Sequence, residues 1–176
     1  MEILVLADSE LSANERKEID AVCDQAFGVN PGEEEDSIYT WVMQNDWHVV
    51  VKLDGVFVSQ VGIVERTGTV AGQPVKLGGV GGVATFPNLQ KQGLASAAMQ
   101  KAARFMQESL KVDFGLLLCA RETKPFYHKL GWREVAGPLM FDQPQGKVTF
   151  HEVTMVLPCI KRDWPAGTID LCGLPW

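Results

Sequence analysis

The chain has 176 residues, 46% hydrophobic and 22% charged, with a net charge of -6. That length suits one domain, residues 1–176, with a full hydrophobic core, and the balanced composition excludes disorder and fibre. No apolar run reaches the roughly 18 residues of a membrane span. The acidic surplus argues against nucleic acid, whose ligands need a basic face, and would suit a cationic substrate.

Met1–Asp8 carries an acid where a signal peptide carries a base, and its apolar stretch is too short for one, so a first strand in a cytoplasmic protein is expected. Ser12 and Glu15 have capping-box spacing, followed by Ile19, Val22, Cys23 and Phe27 at helical intervals. These predict a helix from about Asn14 to Ala26, stopped by Asn30-Pro31-Gly32. The acidic run Glu33–Asp36 before Ile38, Trp41 and Val42 predicts a short second helix with acids at its positive end. That run is either a solvated helix start or a collar for a cationic substrate.

Asp54-Gly55 between Trp47–Leu53 and Val56–Glu65 predicts a hairpin, and Ala71-Gly72-Gln73 between Val64–Val70 and Pro74–Phe86 a second. The last of these strands contains Gly78, Gly79, Gly81 and Gly82. Glycine weakens a strand and marks a bulge or a ligand lying against the backbone; the ligand is the expectation here. Leu94–Leu110 reads as a helix with an apolar stripe of Leu94, Ala98, Ala102, Phe105 and Met106. Asp113–Cys119 reads as a strand buried on both faces, and Lys124–Leu130 as a short helix ended by Gly131. Gly137-Pro138 is a break, Val148–Leu157 one long last strand, and the tail to Trp176 irregular. Cys23, Cys119, Cys159 and Cys172 lack metal-ligand spacing, so free, mostly core thiols and no metal are expected.

Gln90-Lys91-Gln92-Gly93-Leu94-Ala95 lies where the glycine-rich strand hands over to the long helix. The first amides of a helix lack intrahelical partners and sit at its positive dipole end, so a turn that aims them outward binds phosphate. Gly93 and Ala95 keep side chains out of the way. The second element is Tyr127, four residues before Gly131-Trp132 and shortly after the buried strand.

Together these residues, within Val75–Arg133, resemble the acetyl-CoA-dependent GNAT superfamily of N-acyltransferases. The resemblance implies an α/β (α+β) fold with a mixed, mostly antiparallel central sheet, splayed near Val83 and Leu117 and flanked by helices on both faces. It implies acetyl-CoA or another acyl-CoA as cofactor. Gln90, Lys91, Gln92, Gly93, Leu94, Ala95 and Ser96 would hold the pyrophosphate, and the backbone of Val83, Ala84 and Thr85 the pantetheine arm and thioester carbonyl. Tyr127 would be the catalytic acid beside the sulfur while a substrate amine attacks the thioester.

Within the superfamily, Tyr127–Trp132, Gly137-Pro138, Val156-Leu157-Pro158 and the tail are similar to aminoglycoside 2'-N-acetyltransferases. Asp163–Thr168 resembles nodulation N-acyltransferases. Both act on amino sugars, which makes a small amine, an amino sugar or aminoglycoside, the favoured acceptor and implies a role for Trp176 and its carboxylate in lining the acceptor site. Protein or peptide and polyamine acetylation remain alternatives, as does a non-catalytic acyl-CoA-binding module; the resemblance leaves room for a homodimer. Gly81 stands where the aminoglycoside enzymes carry a glutamate base. Glu65, Glu122, His151 and Glu152 are the substitutes the sequence offers, with Glu122, His151 and Glu152 also candidates for acceptor binding. His48 and His128 read as surface or packing residues, and Cys119 as a core thiol. Arg121 and Lys124 could meet a CoA phosphate; Trp41, Trp47 and Trp164 could stack on a sugar or simply pack.

Overall fold

A computed structural model describes residues 1–28, 39–42 and 44–176. The acidic run Glu33–Asp36 and Ile38 of the expected second helix lie outside the described residues; 39–42, which include its Trp41 and Val42, form no regular element. Among the described residues no helix is long and apolar enough to cross a membrane, and no group of three metal-ligating side chains is brought together.

Among the described residues ten strands form one sheet: β1 Glu2–Ala7, β2 Trp47–Leu53, β3 Val56–Val70, β4 Gln73–Thr85, β5 Phe114–Cys119, β6 Arg133–Glu134, β7 Leu139–Gln143, β8 Gly146–Phe150, β9 Val153–Pro158 and β10 Ile169–Asp170. The order is β6-β9-β5-β4-β3-β10-β7-β8, and β2 with β1 branches off β3. Most pairs are antiparallel; β4 with β5 and β10 with β7 are parallel. Both hairpin turns use the positive φ their sequences permit: Asp54 and Gly55 at 48° and 88°, Ala71 and Gly72 at 50° and 76°. The two strands expected on either side of Val64 are one 15-residue strand, long enough to carry β2 on its first half and β10 on its second.

Helices cover both faces. α1, Ala13–Phe27, starts on the expected capping box, with the Ser12 hydroxyl accepting from the Glu15 amide. Its Ile19 and Val22 pack on Val50, Phe57 and Ala84. α2, Leu94–Phe105, packs Leu94, Ala98, Met99 and Ala102 on the opposite face with Val49, Val51, Ile63 and Val80. The helix continues as a π-helical turn, Met106–Leu110, where Met106 and Leu110 are both buried. α3, Lys124–Lys129, lies against the same core through Phe126 and Tyr127, and Gly131 follows it at φ 89°.

Two expectations need correction. The single last strand is two: β8 pairs with β7 at one edge, β9 with β5 and β6 near the other, and exposed His151 and Glu152 mark the crossing. The apolar positions change parity there, from Val148 and Phe150 to Val153, Met155 and Leu157, and β9 is buried on both faces while β8 is not. The tail contains a strand, β10, wedged between β3 and β7. Of the two readings of His48, packing is the one that holds: it is 5% exposed and sits between Asp8 and Gln60. All four cysteines are free, but Cys172 is exposed rather than part of the core.

Asp8 is the most heavily bonded buried carboxylate among the described residues. Arg16 reaches it at 2.8 Å and His48 at 3.0 Å, and Gln44 donates to its other oxygen. The Arg16 hydrogen bond leads the causes that hold its carboxyl well below the usual range, against the opposing effect of burial. Removing one partner of such a pair costs about 3–5 kcal/mol when both are buried. Arg16 is half-exposed, so Asp8→Asn is expected to cost about 2–3 kcal/mol near neutral pH. With the folded value depressed, this contribution is complete above the ordinary value of 3.8 and is lost as pH falls below it. Denaturant melts of the two proteins should therefore differ at pH 7 and converge progressively in acid.

Candidate functional site

β4 and β5 hold together only from Leu77↔Phe114 to Val80↔Leu117. Beyond that, β4 runs on to Thr85 paired with β3, and β5 runs on to Cys119 paired with β9, so the sheet opens between them. The cause lies in the glycines. The β3–β4 register slips between Gln60 and Gly62, and Gly82 takes φ 57°, a bulge that turns β4 away from its parallel neighbour. Phe86 donates to Val58 on β3. Strand alternation then turns the amides and carbonyls of Val83 and Thr85 away from β3, into the opening.

Of the remaining glycines, Gly78 gives way to Met106, and Gly79 and Gly81 make room for the tail. A β-carbon on Gly79 would lie 2.1 Å from the Trp176 ring, and one on Gly81 would lie 2.8 Å from the Trp176 carbonyl carbon. The Trp176 indole is 7% exposed, donates to the Leu116 carbonyl at 3.2 Å, and has the Arg66 guanidinium 5.1 Å from its ring centre. It thus bridges β4 and β5 just before they part. Gly79→Ala should cost about 1–3 kcal/mol by overpacking. Trp176→Leu should recover part of that loss in the double variant, a non-additivity measurable from urea midpoints.

At the end of β4 a single 3-10 turn, Pro87–Leu89, leads into Gln90–Gly93. Lys91 at φ 62° and Gly93 at φ 84° are both left-handed, and no side chain caps α2. The opening amides of α2 face a cleft of about 400 Å³ lined by Thr85, Leu89, Gln90, Lys91, Gly93–Ser96 and Phe126. Left-handed residues leading into an uncapped helix form an anion-binding concavity. The Gln90 side chain is committed inward, donating to the Thr85 carbonyl at 3.3 Å.

Tyr127 packs edge-on against Phe126, one of the residues lining that cleft, with ring centres 5.0 Å apart. Burial first, then the nearby Cys119 thiol, pushes its phenol up to about 12. The Cys119 thiol is also pushed up, chiefly by burial, consistent with a core thiol rather than a nucleophile.

The other sequence candidates scatter. Glu65 is bound by Lys76 at 2.7 Å and pairs with Gly78, three residues from Gly81 on β4 and away from the opening. Glu122 is exposed on the turn after β5; His151 and Glu152 are exposed before β9, opposite the end of β5. Lys124 is engaged by Glu134, while Arg121 and His128 are exposed. Trp47 packs on Phe105 and Trp164 on Phe114; Trp41 lies beside Tyr39. Sequence reasoning misses Gln60, His48 and Asp8, which touch the bulge directly or in series. A larger cavity of about 840 Å³, lined by Asp8, Glu10, Asp46, Glu65, Arg66 and Lys76 among others, lies beyond the opposite end of the β4–β5 pairing from the cleft at the start of α2.

This geometry has counterparts. The acetyltransferase (GNAT) domain family matches residues 9–135, and the chain belongs to that family. Escherichia coli ElaA superposes with TM-score 0.62 at 16% identity, covering 88% of this chain and 97% of that one. A Brucella melitensis GNAT family acetyltransferase, solved in complex with acetyl-CoA, gives 0.61 at 13% identity, covering 96% and 94%. An Enterococcus faecalis protein described as a probable N-acyltransferase gives 0.57 at 22% identity over 76% of this chain; the chain spans only 33% of that protein's length. No curated protein matches the sequence. The fold is the expected mixed, mostly antiparallel sheet flanked by helices, and the chain carries an acetyltransferase (GNAT) domain.

Proposed function

We propose that the chain transfers an acetyl group from acetyl-CoA to a small cationic amine, with an amino sugar as the favoured acceptor. The observation that carries the cofactor half is the opening between β4 and β5 leading to the uncapped start of α2. The pyrophosphate rests on the amides of Gly93–Ser96 with Lys91 beside it, and the pantetheine pairs with the Val83 backbone and the Thr85 amide, the Thr85 carbonyl being held by Gln90. The Val83 amide accompanies the thioester carbonyl as negative charge develops on its oxygen.

Tyr127 supplies a hydrogen to the departing sulfur. A thiol near 8.5 is a much stronger acid than a phenol near 12, so complete proton transfer from Tyr127 to the thiolate is uphill by roughly 5 kcal/mol. Its role is therefore donation of a charge-assisted hydrogen bond, with the final proton coming from the ammonium that forms once the neutral amine has attacked, or from solvent. The amine must arrive neutral or lose its proton near Gly81, where Trp176 backbone fills the space a side chain would take.

The amino-sugar preference rests on the net charge of -6 and on the sequence similarity around Tyr127 and in the tail. Aminoglycosides, polyamines and lysine peptides, each offered with acetyl-CoA, separate the acceptors by release of free CoA thiol. Turnover on the aminoglycosides above the other two classes supports this reading; turnover confined to peptides or polyamines, or acetyl-CoA binding without turnover on any amine, overturns it.

A further inference from the structure

His48 and Asp8 are 5% and 3% exposed, and neither touches the phosphate cleft or Tyr127. They begin a chain of hydrogen bonds that ends at the bulge. Asp8 Oδ1 faces His48 Nε2 at 3.0 Å, His48 Nδ1 faces Gln60 Oε1 at 3.3 Å, and Gln60 Nε2 donates to the Gly82 carbonyl. The carbonyl of Gly82 can only accept, which fixes the Gln60 amide with its nitrogen toward Gly82 and its oxygen toward His48. Gln60 Nε2 also lies 3.2 Å from the Cys23 sulfur, a second acceptor consistent with that orientation.

Two consequences follow. First, both ring nitrogens of His48 face acceptors: a carboxylate held ionised by Arg16 on one side, an amide oxygen on the other. Only the doubly protonated ring satisfies both. The surrounding charges are Asp8 and Arg16, with Asp20 and Asp24 of α1 in electrostatic reach of Arg16 and Cys23; the Cys23 thiol, pushed up mainly by burial, is neutral. Second, the peptide between Gly82 and Val83 is trans, as are all in the described chain, so its N–H lies opposite its C=O. Pinning the Gly82 carbonyl on Gln60 aims the Val83 N–H the other way, into the opening between β4 and β5.

We propose that His48, in its charged form, and Gln60 are positioning residues that hold the β4 bulge so that the Val83 amide meets the thioester carbonyl. This rests on the acetyl-CoA placement above and goes beyond it, since it assigns the alignment of that amide to a buried ion pair on the β1 and β2 side of the sheet. Without the brace, the left-handed Gly82 is free to rotate its peptide, because glycine has no side chain to oppose it.

The test needs no acceptor. Acetyl-CoA carrying 13C at the thioester carbonyl is added to the wild type, Gln60→Ala, His48→Ala and His48→Asn, and the carbonyl resonance is followed together with binding heat. A hydrogen bond from Val83 moves that resonance downfield in the wild type. Gln60→Ala and His48→Ala should bind acetyl-CoA yet lose most of the shift, and His48→Asn, whose amide nitrogen still reaches Gln60, should keep it. In 15N-histidine spectra at neutral pH, the ring signal that disappears in His48→Asn should show both nitrogens protonated. A full downfield shift in Gln60→Ala overturns the brace, and a neutral His48 ring overturns the charged assignment. Wild type that binds no acetyl-CoA overturns the placement beneath both.

Discussion

Tyr127→Phe is expected to lower turnover about 10- to 100-fold while leaving acetyl-CoA affinity nearly unchanged. A full general acid contributes up to about 10⁴-fold, but a phenol pushed up to about 12 holds its proton too tightly to surrender it to a thiolate. What it offers is one hydrogen bond to a developing charge, worth about 1.5–3 kcal/mol. The effect belongs to the transition state, since the neutral thioester sulfur of the bound cofactor is a weak acceptor, so kcat and kcat/KM should fall together. The same value fixes the pH behaviour. Burial favours the neutral phenol, so Tyr127 stays protonated through neutral pH and contributes no alkaline limb to the rate below about pH 10. Steady-state rates of the two proteins across pH 6–10 with a common acceptor provide the check; a loss in acetyl-CoA affinity instead of turnover would reassign Tyr127 to binding.

Gly93→Asp should act on the other half of the reaction. Gly93 precedes α2 at φ 84°, with open space where a β-carbon would be, so the substitution strains the backbone without a clash. The left-handed conformation costs an L-residue roughly 1–2 kcal/mol, and aspartate tolerates it better than most. The greater effect is electrostatic. A carboxylate about 4 Å from a pyrophosphate opposes it by about 1 kcal/mol per charge pair in bulk water and about 4 kcal/mol near a protein surface. It also competes for the amides that would hold the phosphate. Acetyl-CoA affinity should fall at least about 100-fold, with a thermal midpoint changed by only a few degrees. Calorimetry and a melting curve on the same sample separate loss of binding from loss of fold.

The parts of this architecture readable from sequence are those written in local chemistry. Ser12 with Glu15, Asp54-Gly55, Ala71-Gly72 and Gly131 each specify a cap or turn whose geometry needs those residues, and the described structure uses each that way. The turn from Gln90 to Gly93 is of the same kind, because Gly93 and the helix stripe after it are adjacent in the chain. The features that escape a sequence reading are non-local. The parity of the apolar positions changes at His151-Glu152, but nothing near it says that β8 pairs with β7 and β9 with β5. Ile169 reveals itself as a strand only through partners at Val70 and Leu139.

The four glycines of β4 are legible as an anomaly, but their sequence suggests a single cause. Two of them answer to different neighbours: Gly79 gives way to the Trp176 ring, and Gly82 supplies the positive φ of the bulge. His48 is hidden for a similar reason. Its position on β2 gives a face but not the identity of the residues beside it, and Asp8 lies 40 positions away. A buried histidine between a carboxylate and an amide can be recognised only once β1, β2 and β3 are in register.

The central claim, that acetyl-CoA lies in the opening between β4 and β5 with its pyrophosphate on the start of α2, has one direct measurement. Acetyl-CoA titrated into 15N-labelled protein reports on every backbone amide at once. The amides of Val83, Thr85 and Gly93 through Ser96 should move together and saturate at one equivalent, and those of Gly93 through Ser96 should stay still in Gly93→Asp. Saturable shifts confined instead to the cavity around Asp8, Asp46 and Glu65, or no shifts at all, would contradict it.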